Sequence, residues 1–124
     1  MSKYVVKKTK SEKFHFNLVA SNGEPILTSQ VYASKRTALA GIKSVQTNAP
    51  IAEVTDTTAK EPVPAKNPKF EIFEGKDGKK YFRLIAKNGQ AIGRSEGYNS
   101  MSSCKKGIES VRKNSGAEVT YAEE

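Results

Sequence analysis

Residues 14–23 read FHFNLVASNG, and residues 80–89 read KYFRLIAKNG. In both stretches apolar and polar side chains alternate until an Asn-Gly pair ends the run. Phe16, Leu18 and Ala20, and likewise Phe82, Leu84 and Ala86, therefore share one face of an extended strand. Asn22-Gly23 and Asn88-Gly89 supply the hairpin, because both residue types tolerate positive φ. The match runs on: at a constant offset of 66, residues 14–48 and 80–114 are identical at 14 of 35 positions. Two copies of one supersecondary unit, rather than one irregular domain, decide the architecture.

Working outward, Tyr4–Lys7 and Phe70–Phe73 are short leading strands. Gly75–Gly78 is a turn in the second copy, whereas Thr9–Glu12 is a less obvious one in the first. Third strands follow near Pro25–Val31 and Ala91–Gly97. Each copy then carries a helix. Ser34 and Ser100 are natural N-caps, although Thr37 and Ser103 lack the carboxylate or carboxamide of a capping box. Ala38, Gly41, Ile42 and Val45 form one core-facing stripe, as do Cys104, Gly107, Ile108 and Val111. A glycine inside such a stripe costs up to about 1 kcal/mol, so close contact between helix and sheet is expected there. Asn48 and Asn114 are expected to end the helices in the left-handed conformation. Short final strands lie at Ile51–Val54 and Ala117–Tyr121.

These elements give a first repeat at 1–54, a proline-containing linker at 55–68 and a second repeat at 69–124. The linker holds Pro62, Pro64 and Pro68, and in extended form it can reach across a sheet. A unit of this size buries too little surface to stand comfortably alone. One joint core is expected, with the copies fused edge to edge into one antiparallel sheet and both helices on one face.

No apolar stretch has the length of a membrane span, and Tyr4–Val6 is too short for a signal peptide's apolar region. A lone cysteine makes no internal disulfide, which fits a reducing cytoplasm. The net charge is +8. That balance permits attraction to nucleic acid or an acidic protein, and solvated surface is the plain alternative.

Catalytic signatures are missing: the chain has no phosphate loop, dinucleotide fingerprint, nucleophile elbow or HExxH. His15 is the only histidine and falls on a strand's outward face. Cys104 falls on the packing stripe and aligns with Ala38, as a small core residue would. No catalytic, cofactor or metal site is expected. An enzyme would need a solvent-accessible Cys104 with a depressed pKa.

The unusual surface is the sheet face that the helices leave open. Alternation places Phe73, Tyr81, Arg83 and Ile85 there, with His15, Val5 and Val19 from the first copy and Lys80 beside them. Aromatics among cations can stack the bases of a single strand, and an apolar patch can mark assembly. A secondary basic surface on the helices comprises Lys35, Arg36, Lys43, Lys105, Lys106, Arg112 and Lys113.

The ordered elements N-G, S-x-G-Y-x-S and G-I-x-S-V-x-x-N span residues 88–114. With Phe70–Phe73 and Phe82-Arg83-Leu84, they resemble the repeat of the YegP-like family of small bacterial proteins. Gln30-Val31-Tyr32 departs from this pattern where the second copy has Glu96-Gly97-Tyr98. The resemblance implies a β-β-β-α-β unit paired within one chain or between two. It also implies that each unit's last strand crosses to the other's sheet. It brings no activity or site residue. The expectation is thus an α+β, non-enzymatic binding module, monomeric by repeat pairing or homodimeric. Its ligand is nucleic acid or an anionic partner, or else a protein or second copy on the same face.

Overall fold

The computed structural model describes residues 2–58, 60 and 66–121. The first repeat forms β1 (Lys3–Lys8), β2 (Phe14–Val19), β3 (Pro25–Ser29), α1 (Lys35–Asn48) and β4 (Glu53–Asp56). The second forms β5 (Lys69–Glu74), β6 (Lys80–Ile85), β7 (Ala91–Arg94), α2 (Met101–Asn114) and β8 (Glu118–Tyr121). β4 thus extends two residues into the stretch assigned to the linker. Pro62 and Pro64 lie outside the described residues.

All eight strands join one sheet in the order β4-β5-β6-β7-β3-β2-β1-β8. Each repeat's last strand lies beside the other repeat's first. β8 pairs with β1, Tyr4 opposite Val119, and β4 pairs with β5, Val54 opposite Phe70. These two pairs are parallel, which corrects the expectation of a purely antiparallel sheet. Hairpin-linked strands run against each other; neither parallel pair is hairpin-linked, since β4 and β5 are separated by the linker and β1 and β8 are the first and last strands. The six strands between are antiparallel, and β3 meets β7 at the seam between repeats.

The helices occupy one face. α1 touches β1, β2 and β7, and α2 touches β6 and β3, so each reaches over the seam. Between helices and sheet lies one cluster that includes Tyr4, Phe16, Leu18, Phe70, Phe82 and Leu84. Ile42, Val45, Ile108 and Val111 close it from the helical side. Burial of such side chains stabilises by about 1.5–3 kcal/mol each.

The stripe glycines have a specific partner. Tyr32 stacks on Phe16 with ring centroids 6.2 Å apart, and Tyr98 stacks on Phe82 at the same distance. Both tyrosines lie under the helices. A Cβ at Gly41 or Gly107 would come 2.7 Å from the Cζ of Tyr32 or Tyr98, respectively. The expected helix–sheet approach therefore runs through a tyrosine ring in each repeat. At the seam, a Cβ on Gly93 would lie 2.6 Å from the backbone oxygen of Thr28.

Two local details differ from expectation. Thr37 completes a capping box in α1: its hydroxyl accepts from the Ser34 N–H, while Ser34 Oγ accepts from the Thr37 N–H, both at 3.2 Å. A hydroxyl thus does the work of the missing carboxylate. Asn48 and Asn114 do not take the left-handed conformation. Each stays helical and donates its amide back to the carbonyl of Ser44 or Ser110, at 2.8 Å in both cases. Among the described residues, the non-glycine residue at positive φ is Glu12, at 62°, the counterpart of Gly78 at φ 79°. The obscure first-copy turn is the second-copy turn made with a strained residue.

The Tyr98 contact predicts that Gly107→Ala overpacks the core and costs about 1–3 kcal/mol. Gly116→Ala, which meets open space at an ordinary φ, should stay within about 0.5 kcal/mol of the parent protein. Urea midpoints of the two variants check this, and equal midpoints would contradict it.

Candidate functional site

Strand register writes one row of outward side chains across the sheet. It runs Thr55–Glu71–Arg83–Arg94–Thr28–Asn17–Val5–Thr120. Their chain neighbours Phe70, Leu84, Leu18 and Tyr4 point to the core, so this row faces away from the helices. Arg83 and Arg94 stand directly opposite each other, an arrangement that is destabilising for like charges. Glu71 accepts from Arg83 Nε at 2.7 Å and also faces Lys69 Nζ at 3.8 Å. Arg94 has no ion pair among the described residues. Two cations therefore share one carboxylate, and the third, Arg94, is left without one.

The next row holds Phe73 opposite Tyr81. Their rings stack with centroids 5.6 Å apart and planes 15° from parallel. The Arg83 guanidinium lies 5.0 Å from the Phe73 centroid, within cation–π range. Tyr81 is held from three sides. Its hydroxyl donates to Asp77 Oδ2 at 2.5 Å. A Cβ on Gly75 would come 2.5 Å from its ring, and one on Gly97 would come 3.0 Å from its oxygen. The Tyr81 hydroxyl and the Lys79 N–H hold the Asp77 carboxyl below the usual carboxylate range. Phe73, Arg83, Arg94 and Thr28 border a hollow of about 440 Å³. Tyr81, Asp77 and Arg94 border an adjoining one of about 340 Å³.

Phe73, Tyr81 and Arg83 thus come together as expected. His15 lies on the same face but in the other half, opposite Lys7. Ile85 also lies on this face yet is only 9 % exposed, beside Asn67, Lys69 and Arg83. It is no exposed apolar contact. Lys80 does not belong to the face. It sits opposite Glu74, in register one residue off Tyr81, and its ammonium pairs with Glu74 on the helical side.

The secondary basic surface divides. Arg112 is half-buried, pairs with Glu109, donates to the Ala52 carbonyl at 2.5 Å and lies over the Phe70 ring. It clasps α2 to the approach of β4 and is not available to a phosphate. The Lys35 ammonium lies 4.1 Å from the Tyr121 ring centroid. Arg36, Lys43, Lys105, Lys106 and Lys113 are exposed, without ion pairs among the described residues.

Sequence reasoning missed Arg94 and the Tyr81 slot. Register shifts between Leu84 and Ile85, so period-two counting from Phe82 does not carry into β7. Gly97 was visible as a departure between the copies, but its partner Tyr81 lies 16 residues upstream.

Cys104 is fully buried. Burial pushes its thiol up to about 11, the reverse of an activated nucleophile. Among the described residues, no helix is long and apolar enough to cross a membrane, and no group of three His, Cys, Asp or Glu side chains could hold a metal.

A family model described as a domain of unknown function (DUF1508) matches residues 10–56 and 76–121. The UPF0339 protein plu2779 of Photorhabdus laumondii is 49 % identical over 110 residues, covering 89 % of this chain and 83 % of that protein. The UPF0339 protein YegP of Yersinia pestis is 44 % identical, covering 90 % and 86 %. The solution structure of UPF0339 protein SO3888 from Shewanella oneidensis superposes with a TM-score of 0.79 at 36 % identity, covering 97 % and 90 %. That of yegP from E. coli, a protein of unknown function, gives 0.78 at 32 %, covering 99 % and 96 %. The chain belongs to the DUF1508 (UPF0339) family, in a form carrying two copies of the repeat.

Burial also raises the Tyr4 phenol, which donates to the Ser115 carbonyl at 2.5 Å. Cys104 and Tyr4 are neutral when folded, so their contribution is complete below their unfolded pKa and is lost as pH rises past it. Stability should decline from about pH 9, where an unfolded Cys104 begins to ionise, and more steeply above pH 10 with Tyr4. Tyr4→Phe should remove the largest share of the steeper part, to which the raised phenols of Tyr32, Tyr81 and Tyr98 also contribute. Urea midpoints at stepped pH check this, and a flat profile to pH 11 would contradict it.

Proposed function

We propose that this chain is a non-enzymatic binding module that takes single-stranded nucleic acid on its open sheet face. The observation that carries the reading is the Arg83–Arg94 pair, set beside the stacked Phe73 and Tyr81 rings. Two opposed guanidinium groups, of which only Arg83 holds a carboxylate among the described residues, repel each other, and a phosphate between them relieves that repulsion. Aromatic rings held flat on a sheet give bases a stacking platform. The net charge of +8 supplies long-range attraction of the right sign.

Self-association through an apolar patch has less support. Its one large aliphatic, Ile85, is already covered, and the row beside it is charged. The buried, thiol-form Cys104 supports the non-enzymatic part of the reading.

Fluorescence anisotropy with a labelled oligothymidylate tests the proposal. With two to three phosphates neutralised, log K should fall against log salt with a slope of roughly −1.4 to −2. Arg94→Ala should shallow that slope by about 0.7. Tyr81→Ala should weaken binding by about 1–3 kcal/mol. Salt-independent binding, or a face that only dimerises, would overturn the proposal.

A further inference from the structure

We infer that the chain takes one strand per molecule, on its second half alone, and that the first half is scaffold. This rests on the nucleic-acid reading of the open face.

The two halves obey the same folding constraints. Phe16/Phe82, Leu18/Leu84, Tyr32/Tyr98, Gly41/Gly107, Ile42/Ile108 and Val45/Val111 are identical pairs, and all are buried or packed against the core. On the open face the pairs diverge together. Arg83 and Arg94 correspond to Asn17 and Thr28, so the first half has no guanidinium pair. Phe73 and Tyr81 correspond to Lys7 and His15, which stand opposite each other where the second half has its ring stack.

The supports of Tyr81 diverge as well. Gly75 and Gly97 leave the room its ring occupies, and their counterparts are Thr9 and Val31. Asp77, which accepts from its hydroxyl, corresponds to Ser11. The aromatic slot, its acid anchor and the arginine pair are therefore present together in one half and absent together from the other. Gly75, Gly97 and Asp77 are positioning residues, acting through Tyr81.

The test is heteronuclear NMR on the full chain, titrated with a short oligothymidylate. Saturation at one strand per chain, with shifts confined to β5, β6, β7, the Gly75–Gly78 turn and Thr28 across the seam, is expected. Gly97→Val, which installs the first half's residue, should weaken binding by at least about fivefold while first-half resonances stay in place. Val31→Gly, the reciprocal change, should leave affinity unaltered. Two strands per chain, or equal shifts at Lys7, His15 and Asn17, would overturn this inference and leave the binding proposal standing. No binding at either half would remove both.

Discussion

Neither repeat can close its own sheet, and everything else follows from how each closes the other's. A three-stranded meander with one helix leaves a free edge beside its first strand, an invitation to unwanted pairing. Here β8 covers the edge at β1 and β4 covers the edge at β5. The exposed edges that remain belong to four-residue strands, Glu53–Asp56 and Glu118–Tyr121, each opening with a carboxylate. Because the exchanged strands depart from the ends of helices, each helix is drawn over the seam. Tyr4 bonded to Ser115 and Arg112 bonded to Ala52 tie one repeat to the other along the same line.

The exchange also fixes which face is free. Once both helices are committed to one side, the opposite side carries only what the strands present. Core positions answer to packing density, where a single methyl group matters, and the two halves keep the same residues at Phe16/Phe82, Leu18/Leu84, Ile26/Ile92, Ile42/Ile108 and Val45/Val111. The open face carries no such constraint. Its divergence between the halves is where a binding role has room to develop without disturbing the fold.

Much of this was legible in the chain itself. Alternation in 14–20 and 80–86 placed the strands, the Asn-Gly pairs placed the hairpins, and the glycine-bearing stripes placed the helices under a close contact. The tyrosines that make that contact were visible as an identical pair, yet nothing in spacing says that Tyr98 stacks on Phe82 beneath Gly107. Strand exchange came from family resemblance, since parallel edge pairing leaves no local mark. Ser29 and Ser95 were visible only as one more identical pair. Each accepts from a strand N–H, of Phe16 or Phe82, at 2.8 and 3.0 Å, a long-range role that spacing does not reveal. Arg94 was hidden by the bulge at Leu84–Ile85, and the alternation that puts Phe82 in the core also puts Lys80 on the helical side, beside Glu74.

Native-state hydrogen exchange in graded urea tests the shared core most directly, read at the amides of β2 and β6. If each half completes the other, both strands open only by global unfolding, and their opening free energies converge on one value. Separate isotherms, with one half exchanging through a lower-energy opening while the other stays protected, would contradict the account.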